Sequence, residues 1–193
     1  MNIQEIVNQE SQINPSRRRE IEQMALQLKG VNQDLNIAMI CTHNSRRSVF
    51  AEIWANIAKL HYQNSNVHIE SAGTESTNVY QSVIEVMKAF DVRFKAYGSD
   101  GQIKYKSDEA LGLNLYSKTI DEIFPDQKFV AIMTCDHADQ NCPYIPEVLL
   151  RLKLTYRDPK FSDGTIDEKK VYTDKSIEIG REIFYLFKCL SDD

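Results

Sequence analysis

The stretch MICTHNSRRSVFAEIWA, Met39 to Ala55, passes from an apolar run into a polar loop at Cys41 and from there into a helical pattern. Upstream, LNIAMI (Leu35 to Ile40) is short and apolar and reads as a strand, whereas apolar residues from Ser48 through Tyr62 recur at helical spacing. Strand, loop and helix in that order predict the start of a parallel α/β sheet, whose sites lie beyond the carboxyl ends of its strands. Cys41 stands at such an end. The loop itself, Cys41-Thr42-His43-Asn44-Ser45-Arg46-Arg47-Ser48, has the spacing Cys-x5-Arg. A loop of this length entering a helix can turn its backbone N–H groups onto a tetrahedral oxyanion, and the helix N-terminus adds partial positive charge. At the bottom of that cup, the same N–H groups and Arg47 favour a thiolate nucleophile at Cys41. The planar fork of Arg47 suits two oxygens of one anion, a geometry lysine cannot copy. Asn44 tolerates positive φ and can lock the turn. Ser48 can donate to the sulfur or cap the helix.

The rest of the chain fits the same plan. VHIESAG (Val67 to Gly73) reads as a second strand with a glycine turn, and NVYQSVIEVMKAF (Asn78 to Phe90) as a helix capped by Asn78. KFVAIMT (Lys128 to Thr134) is almost wholly apolar, a strand buried on both faces, and it too ends at a cysteine. LLRLKLTY (Leu149 to Tyr156) is a further strand candidate, and Asp167 to Leu190 a long terminal helix. Two additions flank this plan: a polar, helix-favouring extension over residues 1–33, with a solvated basic face at Arg17, Arg18 and Arg19, and a hairpin-like insertion near 94–114 turning at Ser99-Asp100-Gly101. The catalytic domain is expected over 34–193.

Composition limits the function. The chain has 193 residues, a net charge of −5 and 42% hydrophobic residues, which suits one globular domain with local rather than general anion attraction. Nucleic acid and anionic membrane are therefore not expected partners. No apolar run approaches the ~20 residues that span a bilayer and no signal-peptide pattern opens the chain, so a cytoplasmic protein is expected. Four cysteines (Cys41, Cys135, Cys142, Cys189) are too few for a disulfide scaffold, and in a reducing compartment they point to catalytic, metal or redox work. Cys135 and Cys142 are too widely spaced for a zinc knuckle and suit thiol–disulfide exchange through a polar, mobile loop. Cys189, beside Phe184 and Leu186, reads as a buried hydrophobe.

CTHNSRRS resembles the phosphate-binding loop of the low-molecular-weight protein tyrosine phosphatase superfamily, which includes the thioredoxin-coupled arsenate reductases. The resemblance continues through SAG (Ser71 to Gly73), MTCDHADQNCP and Asp158-Pro159. It implies a three-layer α/β/α fold on a four-stranded parallel sheet, with the phosphate-binding loop after the first strand. It also implies oxyanion contacts from Thr42, His43, Asn44, Ser45, Arg46 and Arg47, catalytic roles for Cys41, Arg47 and Ser48, and a general acid at Asp158. The reductase branch further implies a redox relay through Cys135 and Cys142, closed by thioredoxin or a similar dithiol, and a potassium site made by Asn44, Glu52, Ser71 and Asp121. The implied activity is arsenate reduction; the alternative is hydrolysis of phosphotyrosine or aryl phosphates, with Tyr156, Phe161 and Tyr144 walling the substrate ring. His43 departs from the family's usual glycine and is expected to face solvent.

Overall fold

The computed structural model describes residues 2–31, 34–98, 101–141 and 145–191. The central element is β1 (Leu35–Cys41), with β2 (Val67–Gly73) on one side and β6 (Phe129–Met133), then β7 (Val148–Lys153), on the other. All three pairings are parallel, giving the sheet order β2-β1-β6-β7. Register puts Cys41 beside Gly73 and Ile40 beside Met133, so the ends of the two inner strands and β2 meet at one place.

Alternation along β1 divides the core, because successive strand residues face opposite sides. Ile37 and Met39 enter the larger core with α2 (Pro15–Lys29), α3 (Arg47–His61) and α6 (Glu168–Ser191); Ala38 and Ile40 enter a smaller one with Ala131, Met133 and Cys135. All five β6 residues are buried, as its apolar run predicts. Helices α3 and α6 pack closely at Gly180, where an added Cβ would stand 2.9 Å from the Trp54 indole. The extension forms α1 (Ile3–Val7) and α2, the latter capped by Asn14 with Pro15 in its first turn, and buries Ile21, Met24 and Leu28 in the larger core. Among the described residues no helix is long and apolar enough to cross a membrane.

The hairpin-like insertion forms as expected and carries one further strand: β3 (Lys95–Tyr97), β4 (Lys104–Lys106) and β5 (Asn114–Leu115) make a three-stranded antiparallel sheet; of its expected turn, Ser99 and Asp100 lie outside the described residues. Several local expectations are corrected. Helix α4 covers only Gln81–Met87 and continues as a 3-10 turn over Lys88–Phe90. Asn78 does not cap it, because the helix begins only at Gln81 behind Tyr80, and the Asn78 carbonyl accepts from Ser45 Oγ at 2.6 Å instead, which pins the segment to the loop. The expected mobile segment after Cys135 is instead a short helix, α5 (Asp136–Asn141), tethered where Arg151 donates to the Ala138 carbonyl at 2.9 Å. Nor is the basic triplet wholly a solvated face: Arg17 reaches Glu182 at 3.0 Å and the Thr155 carbonyl at 3.1 Å. Cys189 is only half-buried against the core.

Candidate active site

Cys41 ends β1 with its sulfur buried, 3.0 Å from Ser48 Oγ. Helix α3 begins at Arg47 without a side-chain cap, so of the two expected uses of Ser48 its hydroxyl serves the sulfur. The loop between is held by its carbonyls. Those of Cys41 and Thr42 accept from the N–H groups of Thr74 and Glu75 at 3.3 and 2.9 Å, and that of His43 from Ser117 Oγ at 3.0 Å. Tying down the carbonyls leaves the other half of each peptide: among the described residues, no backbone N–H of residues 43–47 donates a hydrogen bond. Peptide N–H groups call for a partner, so this set is ready to donate to an anion.

Asn44 sits at φ 45, the left-handed region where its residue type is enriched. Its amide donates to Ser48 Oγ at 2.9 Å and Ser71 Oγ at 2.7 Å, and its oxygen accepts from the Lys118 N–H at 2.7 Å. Arg47 donates to the Tyr156 carbonyl at 3.2 Å and pairs with the Asp158 carboxylate, while its buried Nε has no partner among the described residues. That orphan donor, within Cys41's loop, is a second group able to donate to an oxyanion. Asp158 is part-exposed and caps the 3-10 turn Pro159–Ser162 by accepting from Lys160 N–H at 3.0 Å.

The neighbouring Arg46 takes a different role from the expected substrate contact. Its guanidinium turns to Asp163 and Tyr172, each at 2.5 Å, and lies 4.1 Å from the Tyr80 ring centroid, so only its backbone remains for an anion. His43 is exposed as expected, 3.7 Å from Glu75. Cys135 is fully buried, with Sγ 3.6 Å from Thr42 Oγ1 and receiving the Ala138 N–H at 3.3 Å. A second thiol is thus packed against the residue that follows Cys41. Cys142, and Tyr144 as a ring wall, lie outside the described residues. Tyr156 is 4% exposed beneath α2 and cannot line a cleft; Phe161, 59% exposed and stacked by Arg157, can.

The expected potassium ligands come together only in part. Glu52 is buried and accepts from Ser71 Oγ at 2.5 Å. Asp121 is exposed on a 3-10 turn and bonded to Thr119 instead. The Lys118 ammonium, itself buried, stands 3.5 Å from Glu52 and pairs with Glu70. With the Lys118 ammonium already standing beside Glu52 and paired with Glu70, the position for a cation is filled, and these residues as they stand do not fit a potassium ion.

Burial pushes the Glu52 carboxyl up to about 7, with Lys118 opposing and Glu70 reinforcing the shift. Between the ordinary glutamate value and about 7 the folded protein therefore holds a proton that the unfolded chain has released, so the contribution of Glu52 to stability falls as pH rises through this window. Relative to wild type, Glu52→Gln should gain stability steadily from pH 4.5 to 7.5, read as melting temperature against pH.

No protein-family model matches the chain. Arsenate reductase 2 of Staphylococcus saprophyticus is 31% identical over 123 residues, 64% of this chain and 77% of that protein. Arsenate reductase of Staphylococcus aureus is 30% identical over the same shares. Among solved structures, an arsenate reductase in its phosphate-binding state matches with a TM-score of 0.54 at 18% identity, over 80% of this chain and 97% of that one. A low-molecular-weight protein tyrosine phosphatase from T. tengcongensis matches with a TM-score of 0.53 at 19% identity, over 80% and 98%. The two structures share the fold.

Proposed function

We infer that this chain, which belongs to the low-molecular-weight protein tyrosine phosphatase superfamily and has arsenate reductases among its relatives, reduces arsenate to arsenite through three thiols. The observation that carries this reading is Cys135, buried against Thr42 at the edge of the Cys41 loop, since ester hydrolysis has no use for a second thiol there. Arsenate would bind the free N–H groups of residues 43–47 and the Arg47 fork. Cys41 then attacks arsenic; an arsenic–oxygen bond breaks and the oxygen leaves as water, taking a proton from Asp158.

Cys135 next attacks the Cys41 sulfur. The sulfur–sulfur bond forms, the sulfur–arsenic bond breaks with its electron pair left on arsenic, and arsenite departs. Cys142 attacks Cys135, which frees Cys41 and moves the disulfide to Cys135 and Cys142, where thioredoxin or another dithiol reduces it. Each step is a thiolate displacement at sulfur or arsenic, and the external dithiol supplies the two electrons.

The test couples reduced protein to thioredoxin, thioredoxin reductase and NADPH. Cys135→Ser and Cys142→Ser should each lose arsenate-dependent NADPH consumption while keeping p-nitrophenyl phosphate hydrolysis. Hydrolysis without any arsenate turnover in wild type would instead support the second reading, a phosphatase, which the Arg47–Asp158 pair beside the cup and exposed Phe161 also suit.

A further inference from the structure

Lys118 belongs to none of the steps above, yet it touches the loop from two directions. It closes the insertion, three residues after β5. Its ammonium is 3% exposed, pairs with Glu70 and lies 3.5 Å from Glu52, with the Tyr116 ring centroid at 5.2 Å. Its peptide is as fully used: the N–H donates to Asn44 at 2.7 Å, and the carbonyl accepts from Gly73 N–H at 2.8 Å. From Glu52 the bonds run through Ser71, Asn44 and Ser48 to the Cys41 sulfur, at 2.5, 2.7, 2.9 and 3.0 Å.

We propose that Lys118 is a built-in cation: its ammonium stands where a monovalent ion would otherwise neutralise Glu52, and it holds Asn44 and the oxyanion loop in their binding shape without potassium. Above about pH 7, where Glu52 ionises, this buried carboxylate demands a counter-charge, and without one it is strongly destabilising. An ion from solution is bound only at the entropic cost of capture, whereas a lysine tethered in the chain has met that cost in folding. Burial alone would push the Lys118 ammonium down, but Glu52 and Glu70 together outweigh it and hold it above the ordinary lysine value, so it stays charged at neutral pH. The insertion thereby has a use, since its antiparallel strands deliver one cation to the back of the loop. Lys118 is a positioning residue and rests on the reading of residues 41–48 as an oxyanion loop, independently of whether arsenate is the substrate.

The experiment, at pH 8 where Glu52 is ionised, compares wild type with Lys118→Met in potassium chloride and in choline chloride at equal ionic strength. It reads the melting temperature and the inhibition constant of inorganic phosphate against p-nitrophenyl phosphate. Wild type should give the same values in both salts. In choline, Lys118→Met should bind phosphate about tenfold more weakly, the scale seen when support behind a site is removed. Potassium should restore both the binding and the melting temperature of the variant; a purely structural salt bridge would show no such rescue. A potassium-dependent rise in the wild-type melting temperature overturns the proposal, as does a variant indifferent to the substitution or one that potassium fails to rescue. Should Lys118→Met not fold, Glu52→Gln/Lys118→Met removes the stranded carboxylate, and its phosphate binding should then be weak in both salts; binding at wild-type strength overturns the proposal. Absence of phosphate inhibition in wild type would instead bring down the loop reading, while the salt dependence of melting still reports on Lys118.

Discussion

On the proposed reading, Cys41→Ser should abolish arsenate-dependent NADPH consumption and p-nitrophenyl phosphate hydrolysis together, each by about 10⁴-fold or more, because a hydroxyl needs an adjacent base to become a nucleophile. None stands there. The described partner of the Cys41 sulfur is Ser48 Oγ, itself fed by the Asn44 amide, and neither group accepts a proton at neutral pH. The substitution removes the proposed attacking atom but none of the proposed partners of the anion, the unpaired N–H groups of residues 43–47 and Arg47. Phosphate should therefore still raise the melting temperature of Cys41→Ser. Activity measured beside that thermal shift separates chemistry from binding; residual turnover above about one part in 10³ would place the nucleophile elsewhere.

Gly73→Ala should be nearly as damaging for a different reason. A Cβ there would stand 2.3 Å from the Glu75 carbonyl, 2.7 Å from that of Thr42 and 2.8 Å from the Asn44 nitrogen. All three are backbone atoms, so no side chain can swing aside, and the end of β2 must part from the loop. Overpacking of this kind costs about 3 kcal/mol. The same displacement spreads the cup, and a shift of about 1 Å at a reacting centre costs about 10²-fold in rate. Urea unfolding midpoints together with kcat/KM on p-nitrophenyl phosphate test both effects; a normal midpoint with normal kinetics would mean that the close approach of β2 to the loop is wrong. The glycine of Ser71-Ala72-Gly73 thus has a steric reason to be there.

What could be read from the sequence was local. Cys41, its loop, β1 and α3 follow from a period change within one stretch, and β6 from an unbroken apolar run, so their positions were legible. The start of α4 was not, since Asn78 looks like a cap until its carbonyl is claimed by Ser45, 33 positions away. Arg17 and Lys118 were missed on the same ground. Each looks like a surface cation in its own neighbourhood, and only the fold brings Glu182 to the one and Glu52 with Glu70 to the other. Arg46 and Arg47 are adjacent and chemically identical, yet Asp163 and Tyr172 hold the first while the second turns to Asp158. For Glu52 a signal did exist: it lies on the apolar face of α3, between Ala51 and Ile53, where a carboxylate needs a partner.

The helix that replaced the expected loop after Cys135 bears on timing and redox balance in the proposed relay. Six helical residues span about 9 Å, whereas bridged cysteines need Cα atoms about 4.4–6.8 Å apart, so closing a disulfide on Cys135 in the proposed relay would draw on unwinding of α5. Helix–coil relaxation takes about a microsecond, far faster than thiol exchange over seconds, so unwinding sets no speed limit. Its free energy, including loss of the Arg151 and Lys153 tethers to α5, falls entirely on the oxidised form. The disulfide of the proposed relay would be made more oxidising by that amount and would yield more readily to an external dithiol, as a bond broken in every cycle requires.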